Sequence, residues 1–291
     1  MATLRDIRRR IRSVQSTQKI TRAMKLVAAA KLRRAQERIL AARPYAYKMQ
    51  EILAGLALRT DPQLHPLLTR RETGRKTVVI IAADKGLCGA FNTNIMRKSM
   101  EFLRRVPGEV QLALIVVGRR ARDFYRRRPY AIRSEHVGLF NQLAYEHAAG
   151  MAREMVEPYV AGETDEVWLI YNEFKTVALQ RVVQERFLPI EPLPMPEGSP
   201  VVDYLYEPSP EAILERLLPK HVETQIFRAL MESLAGEYGA RMTAMEAATK
   251  NASEMIDLLT LQFNKARQER ITKELLEVVG GAEALRRGEG S

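Results

Sequence analysis

The segment Asp84-Lys85-Gly86-Leu87-Cys88-Gly89-Ala90-Phe91-Asn92 gathers a carboxylate, an ammonium, the only cysteine of the chain and two glycines. It follows a β-branched apolar run, Thr77–Ala83, and precedes a helical pattern. A glycine-rich turn from strand to helix is where phosphate groups sit in many α/β folds. The spacing fits neither G-x-x-x-x-G-K-[ST] nor G-x-G-x-x-G, so the segment reads as a structural turn. Cys88 needs a base nearby to act as a nucleophile. The four histidines, at 65, 136, 147 and 221, are scattered and match neither a triad nor a zinc-ligand spacing. Glu274 and Glu277 stand three apart beside Lys273 on a helical stretch, with nothing to raise a pKa for acid–base work. The sequence therefore points to no catalytic residue, no cofactor and no metal.

Charge is more informative. The 291 residues carry a net charge of +11. Residues 1–48 hold fourteen Lys/Arg against two acids, Asp6 and Glu37, so the remainder is close to neutral. An excess confined to one helix indicates an acidic partner along it, set against the plainer reading of a solvated face. Seven arginines fall between Arg119 and Arg133. Phosphate or headgroup contact is one reading of them, and a solvated helix with a partner-facing edge is the simpler one. A single cysteine allows no internal disulfide and fits a reducing compartment. No run of about 18 apolar residues spans a bilayer, and the Arg-rich start lacks the apolar core of a signal peptide.

The elements that must position these residues fall into three blocks. The first, from Thr3 to about Leu58, opens with Thr3 as cap and Asp6 three residues later. Apolar residues recur at Leu4, Ile7, Ile11 and Val14. The phase slips across Gln15–Lys19, as in a stutter, and resumes at Ile20, Met24, Val27, Ala28, Leu32, Ala35, Ile39, Ala42, Ala46, Met49, Leu53 and Leu56. Pro44 should kink or interrupt this helix. About 55 residues would span roughly 80 Å, too long to fold back within a small domain.

The second block, about 75–206, alternates strands with helices. Strands are expected at Thr77–Ala83, Gln111–Val117 and Glu166–Tyr171, with a later one within Val177–Leu188. Helices are expected at Ala90–Arg105, Arg119–Arg128 and Asn141–Val160. This order predicts a parallel, Rossmann-like α/β sheet, with Trp168 in its core. Five prolines make Leu188–Pro200 an extended loop. The third block, 209–286, opens on Ser209-Pro210, a cap followed by proline at the first helical position. Pro219 should break or bend it. Its seam reads Phe227, Met231, Leu234, Tyr238, Met242, Met245, Ala248, Ala252, Met255, Leu259, Phe263 and Ala266, continuing through Leu275 toward Ala282.

Two long helices, 1–60 and 209–286, each with one narrow stripe, bury that stripe by pairing antiparallel as a coiled-coil shaft, with the α/β domain inserted between them. Small residues crowd both arms. This fits either a slim shaft or ordinary alanine helix propensity, and composition does not separate the two.

The segment Ile271–Ala284 (ITKELLEVVGGAEA) matches the C-terminal signature of F-type ATP synthase gamma subunits. Ile20–Lys31 (ITRAMKLVAAAK), Asp84–Asn92, Ala240–Asn251 (ARMTAMEAATKN) and Asn264–Gln268 (NKARQ) agree in order and separation, so the resemblance covers essentially the whole chain. It is to the bacterial type, since the plastid form carries an insertion with a cysteine pair. The resemblance implies a non-catalytic central-stalk rotor that couples transmembrane proton flow to ATP synthesis or hydrolysis. Its implied partners are the ring of three alpha and three beta subunits, the epsilon subunit and the membrane c ring. The implied location is the cytoplasmic face of the cell membrane, as a peripheral protein with no bilayer insertion. Carried over by position, Arg267, Gln268 and Thr272 contact a beta-subunit loop that grips the shaft, and Met24 with Lys25 faces an acidic loop of beta. Two rivals stand beside this reading. A basic coiled coil that binds nucleic acid is disfavoured because the basic residues interleave with a coiled-coil stripe rather than with stacking aromatics. An α/β enzyme with helical arms would require nucleotide binding at the Asp84–Asn92 turn.

Overall fold

The computed structural model describes residues 3–57, 65–72, 74–177, 179–191, 207 and 209–288. The chain divides into two compact units, residues 27–243 and residues 1–26 with 244–291. Helix α1 (Leu4–Ala57) and helix α5 (Pro210–Gly288) each contribute to both.

In the unit 1–26 with 244–291, α1 begins at a reciprocal cap. The Thr3 hydroxyl accepts the Asp6 N–H at 3.3 Å, and the Asp6 carboxylate accepts the Thr3 N–H at 3.3 Å and its hydroxyl at 2.7 Å. The Thr3 hydroxyl, more than any other group, holds the Asp6 carboxyl below its ordinary range. Opposite α1 runs α5 in the reverse direction. The Thr21 and Thr249 hydroxyls meet at 2.7 Å, the Lys25 ammonium reaches Glu246 at 2.6 Å, and the Arg8 guanidinium stands 5.3 Å from the Phe263 ring centre. Counting from the Thr21–Thr249 pair at one residue per step in opposite directions places Val14 level with Ile256, Ile11 with Leu259 and Ile7 with Phe263.

The register corrects the sequence expectation. The inward positions of α1 are Ile7, Ile11, Val14, Gln18, Thr21 and Lys25, alternating steps of four and three with no slip. Polar residues occupy three consecutive seam positions, while Ile20 is 57% exposed. On α5 the inward set runs Met245, Thr249, Ala252, Ile256, Leu259, Phe263 and Ala266, and Met255 points out at 51% exposure. An expectation built on apolar residues alone reads the polar stretch of a seam as a phase slip.

In the unit 27–243, the buried face of α1 continues at Ala28, Leu32, Ala35, Met49, Leu53 and Leu56, whereas Val27 is exposed. Neither proline ends its helix. Pro44 lies inside α1 and Pro219 inside α5. The residues four before them, Leu40 and Glu215, lie on exposed faces, where a carbonyl freed by proline can meet water.

Between these helices come β1 (Arg75–Ile81), α2 (Phe91–Arg105), β2 (Gln111–Val117), α3 (Arg119–Tyr125), β3 (Ala131–His136), a 3-10 turn (Leu139–Asn141), α4 (Tyr145–Val160), β4 (Glu166–Phe174) and β5 (Gln180–Leu188). The sheet order is β3-β2-β1-β4-β5. The first four strands are parallel and β5 is antiparallel to β4. Alternate β1 residues serve two cores. Val79 and Ile81 pack with α1, α4 and α5, while Val78 and Ile80 pack with α2 and α3. Burial on both faces explains the unbroken apolar run in its sequence.

Two strands depart from expectation. β3 was not anticipated, because AIRSEH is a polar edge strand with one large apolar residue, held by its pairing with β2. β5 closes the other edge against the parallel direction. Trp168 is only half-buried, its indole N–H donating to Glu166 at 2.9 Å. Most of the proline-rich stretch 188–200 lies outside the described residues, as do Leu58 and positions 60 and 206.

Gly118, between β2 and α3, has φ +88°, and a Cβ there would stand 2.1 Å from the Ala82 carbonyl oxygen. Gly118→Ala is expected to cost about 3 kcal/mol or more, measured as a shift in urea midpoint at unchanged slope. His221 on α5 is buried, and burial, aided by Arg228, lowers its pKa from 6.5 to about 4. The fold therefore holds the neutral ring. The unfolded chain binds the extra proton between pH 6.5 and about 4, so stability falls as pH drops through that window. His221→Gln should remove about 2–3 kcal/mol of that pH dependence. An identical stability–pH curve in the variant would contradict it.

Candidate partner-binding surface

The Asp84–Asn92 turn sits at the carboxyl end of β1, where the strand order reverses and α/β folds place ligands. Here the chain itself fills the position. The Asp84 carboxylate accepts the backbone N–H of Arg119 at 2.9 Å and of Gly138 at 3.0 Å, so a protein carboxylate stands where α3 would offer its first amide to an anion. The Asn92 side chain accepts the Ala83 N–H at 3.0 Å and donates to the Lys85 carbonyl at 3.2 Å. From above, α5 closes the turn. Arg241 donates to the Gly86 carbonyl at 3.0 Å and pairs with Glu237 at 2.7 Å, both side chains being nearly buried. Gly236 lets α5 approach, since a Cβ there would stand 3.2 Å from the Phe91 ring. Burial raises the Glu237 carboxyl against the pull of Arg241. Burial, followed by Glu237, also raises the Cys88 thiol, so it rests protonated and shielded.

The other chemical candidates are dispersed. Glu274 pairs with Arg270 at 2.7 Å and Glu277 with Lys273 at 3.8 Å, all on exposed helix surface. Within the arginine cluster, Arg122 pairs with Asp123, Arg126 with Glu135 and Arg133 with Glu163, while Arg128 stacks on Phe124. Among the described residues no group of three or more His, Cys, Asp or Glu is placed to hold a metal ion. Among those residues, too, no helix is long and apolar enough to cross a membrane.

The surface that lacks an internal explanation is the end of α5. The register places Leu4, the first residue of α1, level with Ala266. Among the described residues of this unit, no helix stands opposite α5 from Arg267 onward. Ile271, Leu275, Leu276, Val278 and Val279 are 48–70% exposed there, correcting the expectation of a seam continuing through Leu275. Large apolar side chains clustered in water mark an interaction surface. Arg267, Gln268 and Thr272 are all exposed on this stretch. Of the other two residues singled out by the sequence, Met24 is half-buried, and Lys25 is engaged with Glu246. The structure thus groups three of the five on the α5 overhang and leaves two a coil length away, at the Thr21–Thr249 level.

One exposed feature escaped the sequence reading. Leu87 has φ +62°, a conformation costly for a branched side chain, and is 65% exposed. The turn that buries Cys88 thus projects a leucine into solvent beside the exposed Lys85. The glycines at 86 and 89 were the only sequence signal of an unusual backbone there.

Comparison with known proteins agrees with this architecture. A family model described as "ATP synthase" matches residues 3–285. The ATP synthase gamma chain of Desulforamulus reducens is 50% identical over 98% of this chain and 100% of its own length, and that of Pelotomaculum thermopropionicum is 50% identical over the same shares. Among solved structures, the central stalk and c-ring structure of Tetrahymena thermophila mitochondrial ATP synthase holds a chain that is 26% identical. The match covers 79% of this chain and 99% of that one, with a TM-score of 0.59. A chain of the Euglena gracilis mitochondrial ATP synthase shares the fold at a TM-score of 0.71 over 99% of this chain and 96% of its own, with 23% identity. Matched along nearly its whole length by a family model and by relatives at half identity, the chain belongs to the family of ATP synthase gamma chains.

Proposed function

We propose that this chain is the central-stalk rotor of an F-type ATP synthase, without catalysis of its own. Its free α5 end turns inside the ring of alpha and beta subunits, and its α/β domain lies toward the epsilon subunit and the membrane c ring. The complex holds it at the cytoplasmic face of the cell membrane as a peripheral component. The observation that carries this reading is the stretch of α5 from Arg267 to Val279, where exposed apolar residues have no helix opposite them among the described residues of their unit. A sleeve of partner subunits supplies that cover. The filled Asp84 turn and the protonated Cys88 thiol support a mechanical rather than a chemical role.

The mechanism is differential contact. Three chemically equal sites around an asymmetric shaft meet different faces of it, and each site shifts only as far as its contact energy differs between orientations. In this reading Arg267, Gln268 and Thr272 are gripped by a beta-subunit loop, and Met24 with Lys25 faces an acidic loop of beta. Torque passes along the α1–α5 seam, which must resist twisting. The intrachain bond from Lys25 to Glu246 gives that lysine a structural task as well.

Reconstitution with alpha and beta subunits is the direct test. Leu276→Asp with Val279→Asp changes exposed residues, so the isolated chain should keep its stability within about 0.5 kcal/mol. The complex should lose cooperative ATPase activity or fail to assemble. Normal activity in the reconstituted complex would refute the role given to the α5 end. The charge swap Lys25→Glu with Glu246→Lys separates the two tasks of Lys25. It restores the intrachain pair with reversed polarity, so stability should be kept while ATP-driven proton pumping falls severalfold. Full pumping by the swapped protein would confine Lys25 to the seam.

A further inference from the structure

A cavity of about 490 Å³ opens in the unit 27–243, between α1, the loop leading into α4, and α5. The rotor reading does not use it. Its wall on α1 is Lys31, Arg34 and Arg38, spaced three and four apart and therefore on one face of the helix. Among the described residues no carboxylate lies within ion-pair distance of any of the three, and none lines the cavity. Arg33, on the neighbouring face, is by contrast paired with Glu37 at 3.0 Å. The Lys31 ammonium stands 5.6 Å from the Tyr238 ring centre, which holds it at one end of the opening. Across from the cations, the His147 Nδ1 accepts the Ala144 N–H at 3.1 Å, which puts the proton of the neutral ring on Nε2 and leaves that nitrogen as a donor. The floor is apolar and buried, made by Leu143, Met231 and Leu234.

Three unneutralised cations over an apolar floor specify a ligand with more than one negative charge and an uncharged body. Inorganic phosphate meets the first requirement and leaves most of the volume empty. We propose that this cleft binds a phosphorylated anion of the nucleoside diphosphate or triphosphate class, its phosphates on Arg34 and Arg38 and its base against the floor. The site is separate from the Asp84 turn, and its existence does not depend on the rotor reading.

The test is equilibrium dialysis of the full-length chain against ADP, with pyrophosphate and phosphate as comparison probes. ADP should bind saturably at one per chain and about tenfold tighter than pyrophosphate, because the floor contributes. Arg34→Glu with Arg38→Glu should weaken ADP binding by about tenfold or more. Arg33→Glu, a charge reversal on the adjacent face, should leave it within about twofold. The neutral pair Arg34→Gln with Arg38→Gln repeats the measurement, and an unchanged urea midpoint certifies folding. Any of three results overturns the proposal: no saturable ADP binding, an equal loss in the Arg33 variant, or pyrophosphate binding as tightly as ADP. The last would mark a general anion site.

Discussion

The antiparallel contact between α1 and α5 supports the rest of this protein. Each helix carries one stripe wide enough to be covered by a single partner and too long to be covered by a small core. At roughly 25 cal/mol per Å² of apolar surface removed from water, leaving either stripe bare would outweigh the entropy of aligning two rods. In the unit 1–26 with 244–291 the stripe is the core. In the unit 27–243 the same faces of α1 and α5 pack with α4 against one side of the sheet.

The seam is not uniformly apolar. Gln18, Thr21 and Lys25 hold consecutive inward positions, met by Thr249 and Glu246. An apolar residue at each would add stability and lose information, because aliphatic side chains tolerate a slide of one heptad. A hydroxyl pair at 2.7 Å and an ammonium–carboxylate contact at 2.6 Å do not. Polar seam residues setting register at some cost in stability is a known property of coiled coils. A defined register means a defined outer face of the coil in this unit. In the unit 1–26 with 244–291 the exposed Ile20 belongs to that outer face.

The α/β unit shows a nucleotide-type fold whose usual site is occupied by its own chain. Asp84 takes the amides of Arg119 and Gly138, and the Glu237–Arg241 pair on α5 seals the turn. The residues that looked most chemical in sequence are therefore joints, holding α5 against the sheet.

Much of the architecture was legible in the sequence. Apolar periodicity is a one-dimensional record of burial, so two long helices at the ends and a βαβ pattern between them could be read directly. The Thr3–Asp6 and Ser209–Pro210 starts were legible because capping is local. The signature Ile271–Ala284 and four further segments located the family. Other features needed the third dimension. A polar seam is invisible to a hydrophobic pattern, so the stretch around Gln18 read as a slip. β3 has no strand signal of its own, because its order comes from β2. The two prolines left their helices continuous, with Leu40 and Glu215, four residues before them, on exposed faces. That α5 is bare from Arg267 to Val279 follows only from the register, since an apolar stripe looks the same whether its partner helix reaches it or stops short. Local sequence determined which segments became helix or strand; the pairing of distant segments decided which faces were left for other molecules.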